Sequence, residues 1–229
     1  MVDTENHNPT NNYFRHVRKE VAVHVVSGKH RVLDVGCAAG VFGEYLKRQG
    51  CASVVVGIEL DALAAKEAST KLDQVLCANL NQTDVAGLLN DLDKASFDYI
   101  ICADVLEHLI DPWTILSDLA TYIKPDGRLV VSLPNVQHWS VWVPLIFTGR
   151  WDYCEAGIMD RTHLRFFTRS TSQKLIMRAN LQVVECQPNI WRRSEKILNR
   201  ITFGLLEGWL ASQWVLVGKA GSGQPNGKV

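Results

Sequence analysis

The segment Val32–Phe42 reads VLDVGCAAGVF, an apolar strand that runs through a turn of small residues into the start of a helix. Small side chains let the backbone come close to a ligand, and a helix start offers free N–H groups at the positive end of its dipole. Glu59 follows nineteen residues after Gly40, at the end of a second apolar run, SVVVGIE. A carboxylate placed there accepts hydrogen bonds from both hydroxyls of a ribose, so turn and acid together describe an adenosine-containing ligand. A dinucleotide site asks for G-x-G-x-x-G. Here the series is Gly36, Ala38, Gly40 and then Val41, with no glycine at the remaining required place, which argues against a pyrophosphate packed on this turn.

Around this unit, β-rich apolar runs alternate with helical patterns. Strands are expected at 31–35, 53–58, 74–77, 97–102 and 128–133, with helices at 42–49, 62–72, 85–92 and 112–123 between them. Asp61 and Asp111 stand as N-caps, and Pro112 occupies the first helical position, where its missing N–H costs nothing. Lys124–Gly127 (KPDG) reads as a turn. Such alternation builds βαβ units and a parallel sheet. After the fifth strand the pattern breaks over 134–167, a stretch rich in tryptophan and tyrosine without a clean period, before a helix at 171–179, a strand at 181–186, an amphipathic helix at 194–210 and a last strand at 212–219. Ligands of open α/β sheets sit outside the carboxyl ends of the strands, so a lid insertion at 134–167 falls where it would cover a site.

Composition supplies the exclusions. The 229 residues suit a single domain at 13–220, with the polar ends 1–12 and 221–229 reading as tails. Lys plus Arg and Asp plus Glu are 24 each, so the basic excess of a phosphate-backbone binder is missing and nucleic acid is disfavoured as a partner. No apolar run approaches the ~20 residues of a bilayer span, and the start lacks the apolar stretch of a signal peptide. Six cysteines without a C-x-x-C pair read as reduced, buried thiols of a cytoplasmic protein. No His/Asp/Glu cluster in the sequence suggests a metal.

The runs VLDVGCAAG, VVVGIELD, FDYIICADVLEHLIDPW and KPDGRLVVSLPN together resemble class I S-adenosylmethionine-dependent methyltransferases over roughly residues 31–133. The resemblance implies a Rossmann-like, seven-stranded, mostly parallel sheet with helices on both faces. It further implies that Gly36 and Gly40 hold the methionine part of the cofactor beside Ala38, with Asp34 organising its amino group. Glu59 would take the ribose, Leu60, Asn79 and Leu80 the adenine, and the Ala103 carbonyl the ammonium. Tyr13 is expected to close over the cofactor. The later run GRWDYCEAGIMDRTHLRFFT resembles a bacterial subgroup associated with polysaccharide and surface-glycan genes.

Methyl transfer from a sulfonium needs alignment, exclusion of water and, for a hydroxyl acceptor, a base. His163 is the favoured base and His138 the second, since an imidazole titrates near neutral pH. Arg161 and Arg165 offer two-pronged grips for an anionic substrate, and Trp139 a stacking face for a sugar. The expected reaction is O-methylation of a nucleotide-sugar or glycan acceptor. A quinone, natural-product or amine acceptor is the alternative, and a non-catalytic cofactor-binding module a further one. Trp139–Phe147 (WSVWVPLIF) reads first as lid core, with a dimer contact or a shallow membrane contact as the other readings.

Overall fold

The computed structural model describes residues 17–220. Seven strands form one sheet: β1 (His30–Val35), β2 (Ala52–Glu59), β3 (Gln74–Cys77), β4 (Phe97–Ala103), β5 (Ile123–Pro134), β6 (Leu181–Asn189) and β7 (Gln213–Ala220), in the spatial order 3-2-1-4-5-7-6. All neighbours pair in parallel except β7, which runs antiparallel to both β5 and β6. The Rossmann-like α/β architecture with a segment inserted after the fifth strand matches the reading of the sequence.

Strand periodicity divides the interior into two cores, because successive side chains leave a strand on opposite faces. Leu33, Val35, Ile100, Cys102, Leu129 and Val131 pack on one side against helices Pro112–Ala120 and Arg169–Arg178. Val32, Tyr99, Ile101 and Val130 face the other side and meet Val21, Phe42, Leu46 and Ala68. A sheet buried on both faces explains why these strands are almost wholly apolar.

Several boundaries differ from those the sequence suggests. The helix after β2 ends at Ala68 because the Ser69 and Thr70 hydroxyls donate to the Lys66 and Glu67 carbonyls, which favours a terminus. Its cap is as expected: the Asp61 carboxylate accepts from the Leu63 and Ala64 amides. The turn Lys124–Gly127 survives only as a bulge inside β5, since Phe97 pairs with Ile123 and Tyr99 already pairs with Arg128. The patternless segment after β5 contains a helix, Trp139–Thr148, of which only Val141 is buried; Leu145, Ile146 and Phe147 are exposed, so it is not lid core. The single amphipathic helix expected at 194–210 is two, Arg193–Ile201 and Glu207–Leu210. They are separated by a turn in which Phe203 and Gly204 are left-handed and the Gly204 amide donates to the Asn199 carbonyl. Cys77 and Cys154 are exposed, correcting the reading of six buried thiols. Among the described residues no helix is long and apolar enough to cross a membrane.

Candidate active site

Parallel registry brings the carboxyl ends of β1, β2, β3 and β4 to one edge: Asp34 lies opposite Gly57 and Ile101, and Glu59 opposite Cys77. Here the turn after β1 takes an unusual backbone, with Gly36, Ala38 and Gly40 at φ of 73°, 49° and 75°. A Cβ on Gly36 would stand 2.4 Å from the Val105 side chain, and one on Gly40 would stand 2.9 Å from the Ala68 backbone. Ala38 adopts the left-handed conformation of a glycine at a cost of about 1 kcal/mol. The Gly36 and Cys37 amides both donate to the Ile58 carbonyl. The Glu59 carboxylate accepts from Ala38 N at 2.8 Å through one oxygen, and from Leu60 N and Asp61 N at 2.8 and 2.9 Å through the other.

Asp34, next to last in β1, is buried, and its Oδ2 has no hydrogen-bond partner. Burial, reinforced by the negative charge of Glu59 and opposed by Arg18, pushes its carboxyl up to about 7. A buried carboxylate oxygen without a partner is costly unless a cation or donor arrives. Ala103 ends β4, half-buried. Asn79 closes an Asx turn onto Asn81 N, Leu80 is buried in the core, and Leu60 is exposed beside Glu59. Tyr13 lies outside the described residues.

Asp104, at φ 55°, accepts from Ser132 Oγ and Gln213 Nε2, both at 2.6 Å, and from Arg18. Three donors make it a joint between β4, β5, β7 and the segment before helix Lys19–Ala22. Arg18, Ser132 and Gln213 were missed in the sequence. Ser132 and Gln213 are lone polar residues in apolar strands, which is a signal, but nothing there names their partner.

Packing encloses the favoured base. His163 is buried, with Nδ1 3.0 Å from the Ile158 carbonyl and Nε2 4.0 Å from Glu107 Oε1. Its ring sits edge-on to His108 at 4.8 Å, and it lines neither cavity described below. Glu107 is enclosed with no hydrogen bond to either carboxylate oxygen; burial, with Asp104 second, raises its carboxyl well above the usual range. Glu107, His108 and His163 each bring one possible ligand atom within 4.8 Å of the others, a cluster the sequence alone did not suggest. Arg161 pairs with Glu155 on the surface, while Arg165 donates to the Ile110 carbonyl and lies over the Trp113 ring. Neither arginine lines a described cavity.

His138 does line one. A cavity of about 440 Å³ is walled by His138, Ser140, Val141, Pro144, Trp151, Ile158, Met159 and Trp191, together with the charged Arg150, Asp152 and Arg192. His138 caps helix Trp139–Thr148: Nδ1 accepts from Ser140 N and lies 2.7 Å from Ser140 Oγ. On its other side Nε2 faces Glu195 Oε1 at 3.3 Å, without the alignment of a hydrogen bond. Burial lowers the imidazole pKa and the Glu195 charge opposes the fall. Glu195, itself buried, accepts from Trp139 Nε1 at 2.9 Å, so Trp139 is tied down by its ring nitrogen. Glu195 lies 57 positions after His138, a separation at which sequence carries no pairing signal.

A seven-stranded sheet with one reversed strand, a glycine turn at the end of β1 and an acid at the end of β2 define a nucleotide-binding α/β enzyme with its site at the carboxyl edge. The comparisons make this specific. A family model described as "Methyltransferase domain" matches residues 11–186, and the chain belongs to that family; its cofactor is S-adenosylmethionine. The chain is 35% identical over 111 residues to a ubiquinone biosynthesis O-methyltransferase of Coxiella burnetii, covering 48% of this chain and 45% of that one. It is 34% identical over 106 residues to the mitochondrial enzyme of the same name from Schizosaccharomyces pombe, covering 46% and 38%. The match thus spans less than half the length of these relatives. A SAM-dependent methyltransferase from Archaeoglobus fulgidus shares the fold at a TM-score of 0.66 and 17% identity, covering 92% of this chain and 98% of that one.

Proposed function

We propose that the chain methylates a hydroxyl of a small, largely apolar aromatic acceptor of the quinone class. The observation that carries this reading is the cavity beside His138, where Val141, Pro144, Trp151, Ile158, Met159 and Trp191 offer an apolar surface to a ring, with Arg150, Asp152 and Arg192 as its charged members. Arg161 and Arg165 do not line this cavity; they bond Glu155 and the Ile110 carbonyl. The names of the curated relatives support the same choice.

On the cofactor side, the residues fit the group they would hold. Gly36 and Gly40 hold a left-handed turn in which Val105 and Ala68 leave no room for a Cβ, Asp34 keeps an unpartnered oxygen for the ammonium, and Ala103 ends the neighbouring strand β4. Glu59, fixed by three amides, would receive the ribose hydroxyls, and Leu60 would flank the adenine. When bound, S-adenosylmethionine supplies an activated methyl group on a positively charged sulfur, so the reaction is an in-line displacement.

The protein's own part is to place the acceptor and take its proton. His138 is neutral near pH 7 because burial disfavours the imidazolium. The bound cofactor would give up its methyl group to the acceptor oxygen and keep the carbon–sulfur electron pair. The hydroxyl proton passes through Ser140 Oγ to His138 Nδ1, and the negative Glu195 beside Nε2 stabilises the imidazolium that forms. A positioned base of this kind contributes about 10²–10⁴-fold.

The test is product analysis with methyl-labelled cofactor against catechols, hydroquinones and nucleotide-sugars. Label on a phenolic oxygen is expected. Label confined to nucleotide-sugars, or no transfer to any acceptor with cofactor bound, overturns the reading.

A further inference from the structure

We propose that helices Trp139–Thr148 and Arg193–Ile201, with the turn that follows the second, form a docking surface for an anionic lipid bilayer. The two helices are tied by the bond from Trp139 to Glu195, the Trp142 ring lies 6.1 Å from that of Trp209 in the helix after the turn, and a largely apolar groove runs between them. Their outer faces are apolar and unpartnered. Phe203 is 94% exposed, Leu205 85%, Phe147 75%, and Ile146 and Ile201 68% and 67%. A soluble surface carries scattered apolar residues, whereas large ones concentrated on neighbouring segments mark an interaction site. Phe203 also holds a left-handed φ of 51°, a position that favours glycine, so a bulky ring is kept at the tip of the turn against local preference.

The charges identify the occupant. Arg193, Lys196 and Arg200 project from the same helix, are exposed, and have no ion pair among the described residues. The helix's one acid, Glu195, is buried, while Asp152 and Glu207 nearby are paired with Arg150 and Arg169. Apolar side chains flanked by unneutralised cations match the boundary of a membrane with anionic head groups. A second copy docked symmetrically on this face would bring the same three cations together, which is unfavourable. The proposal does not depend on the methyl-transfer reading, because binding is measured without cofactor or acceptor.

The experiment is co-sedimentation of the full chain with phosphatidylcholine vesicles, alone and with phosphatidylglycerol as about a third of the lipid. Binding to the anionic vesicles alone, weakened by salt, is the expected result. Each cation adds about fivefold to partitioning, so R193Q/K196Q/R200Q should bind roughly a hundredfold more weakly. F203S/L205S should abolish binding while S-adenosylhomocysteine still titrates it normally, which establishes that it is folded. Equal binding to neutral vesicles, no binding to either, or a dimer by light scattering that F203S/L205S dissociates would each overturn the proposal.

Discussion

Glu59 accepts the Ala38 amide at 2.8 Å, and through this bond the acid at the end of β2 fixes the turn at the end of β1. Glycine turn and acid are therefore one structural unit, joined across two adjacent parallel strands. Glu59→Ala leaves three backbone donors without their acceptor. Calorimetry with S-adenosylhomocysteine should record affinity more than tenfold weaker, and thermal denaturation a loss of about 1–3 kcal/mol. An unchanged dissociation constant would remove Glu59 from the site.

Asp34 sets a pH dependence. Its folded pKa, about 7, lies above its unfolded value, so without ligand the folded chain keeps a proton that the unfolded chain releases. The resulting penalty on stability is absent below the ordinary carboxylate range, grows as pH rises through it, and is complete above about 7. Asp34→Asn should therefore raise the melting temperature of the ligand-free protein, and more at pH 8 than at pH 5, while weakening cofactor binding. In the wild type, a cationic ligand expels the proton, so affinity should rise with pH up to about 7. Titrations in buffers of different ionisation enthalpy at pH 6 should register proton release, and equal heats would refute it.

His138→Ala should lower the methylation rate by about 10²-fold or more and leave S-adenosylhomocysteine affinity intact. The sharper test is Glu195→Gln. Glu195 raises the His138 pKa against burial, so its neutralisation should move the acid limb of the rate profile to lower pH and reduce the plateau rate. A uniform fall with an unmoved profile would make Glu195 purely structural.

His163→Ala is expected to behave as a core mutation. It removes the ring packed on His108 and Phe166 and the bond to the Ile158 carbonyl. Denaturant unfolding should lose roughly 1–3 kcal/mol, with rate and cofactor affinity falling together. Loss of rate alone would restore His163 as the base.

The sequence by itself determined the sheet, the turn and the acid, because each is written in contiguous residues. Strand apolarity, small residues at 36–40 and the caps at Asp61 and Asp111 act within a few positions of one another, where local sterics and hydrogen bonding decide the outcome. Tertiary structure alone decided which histidine borders a cavity, which acid faces it and which charges are already engaged. Asp104 with Arg18 and Gln213, His163 with Glu107, and His138 with Glu195 are contacts between residues 56 to 109 positions apart. Burial and partnership, which set a side chain's pKa and reach, arise only when separate elements pack, and no local pattern encodes them.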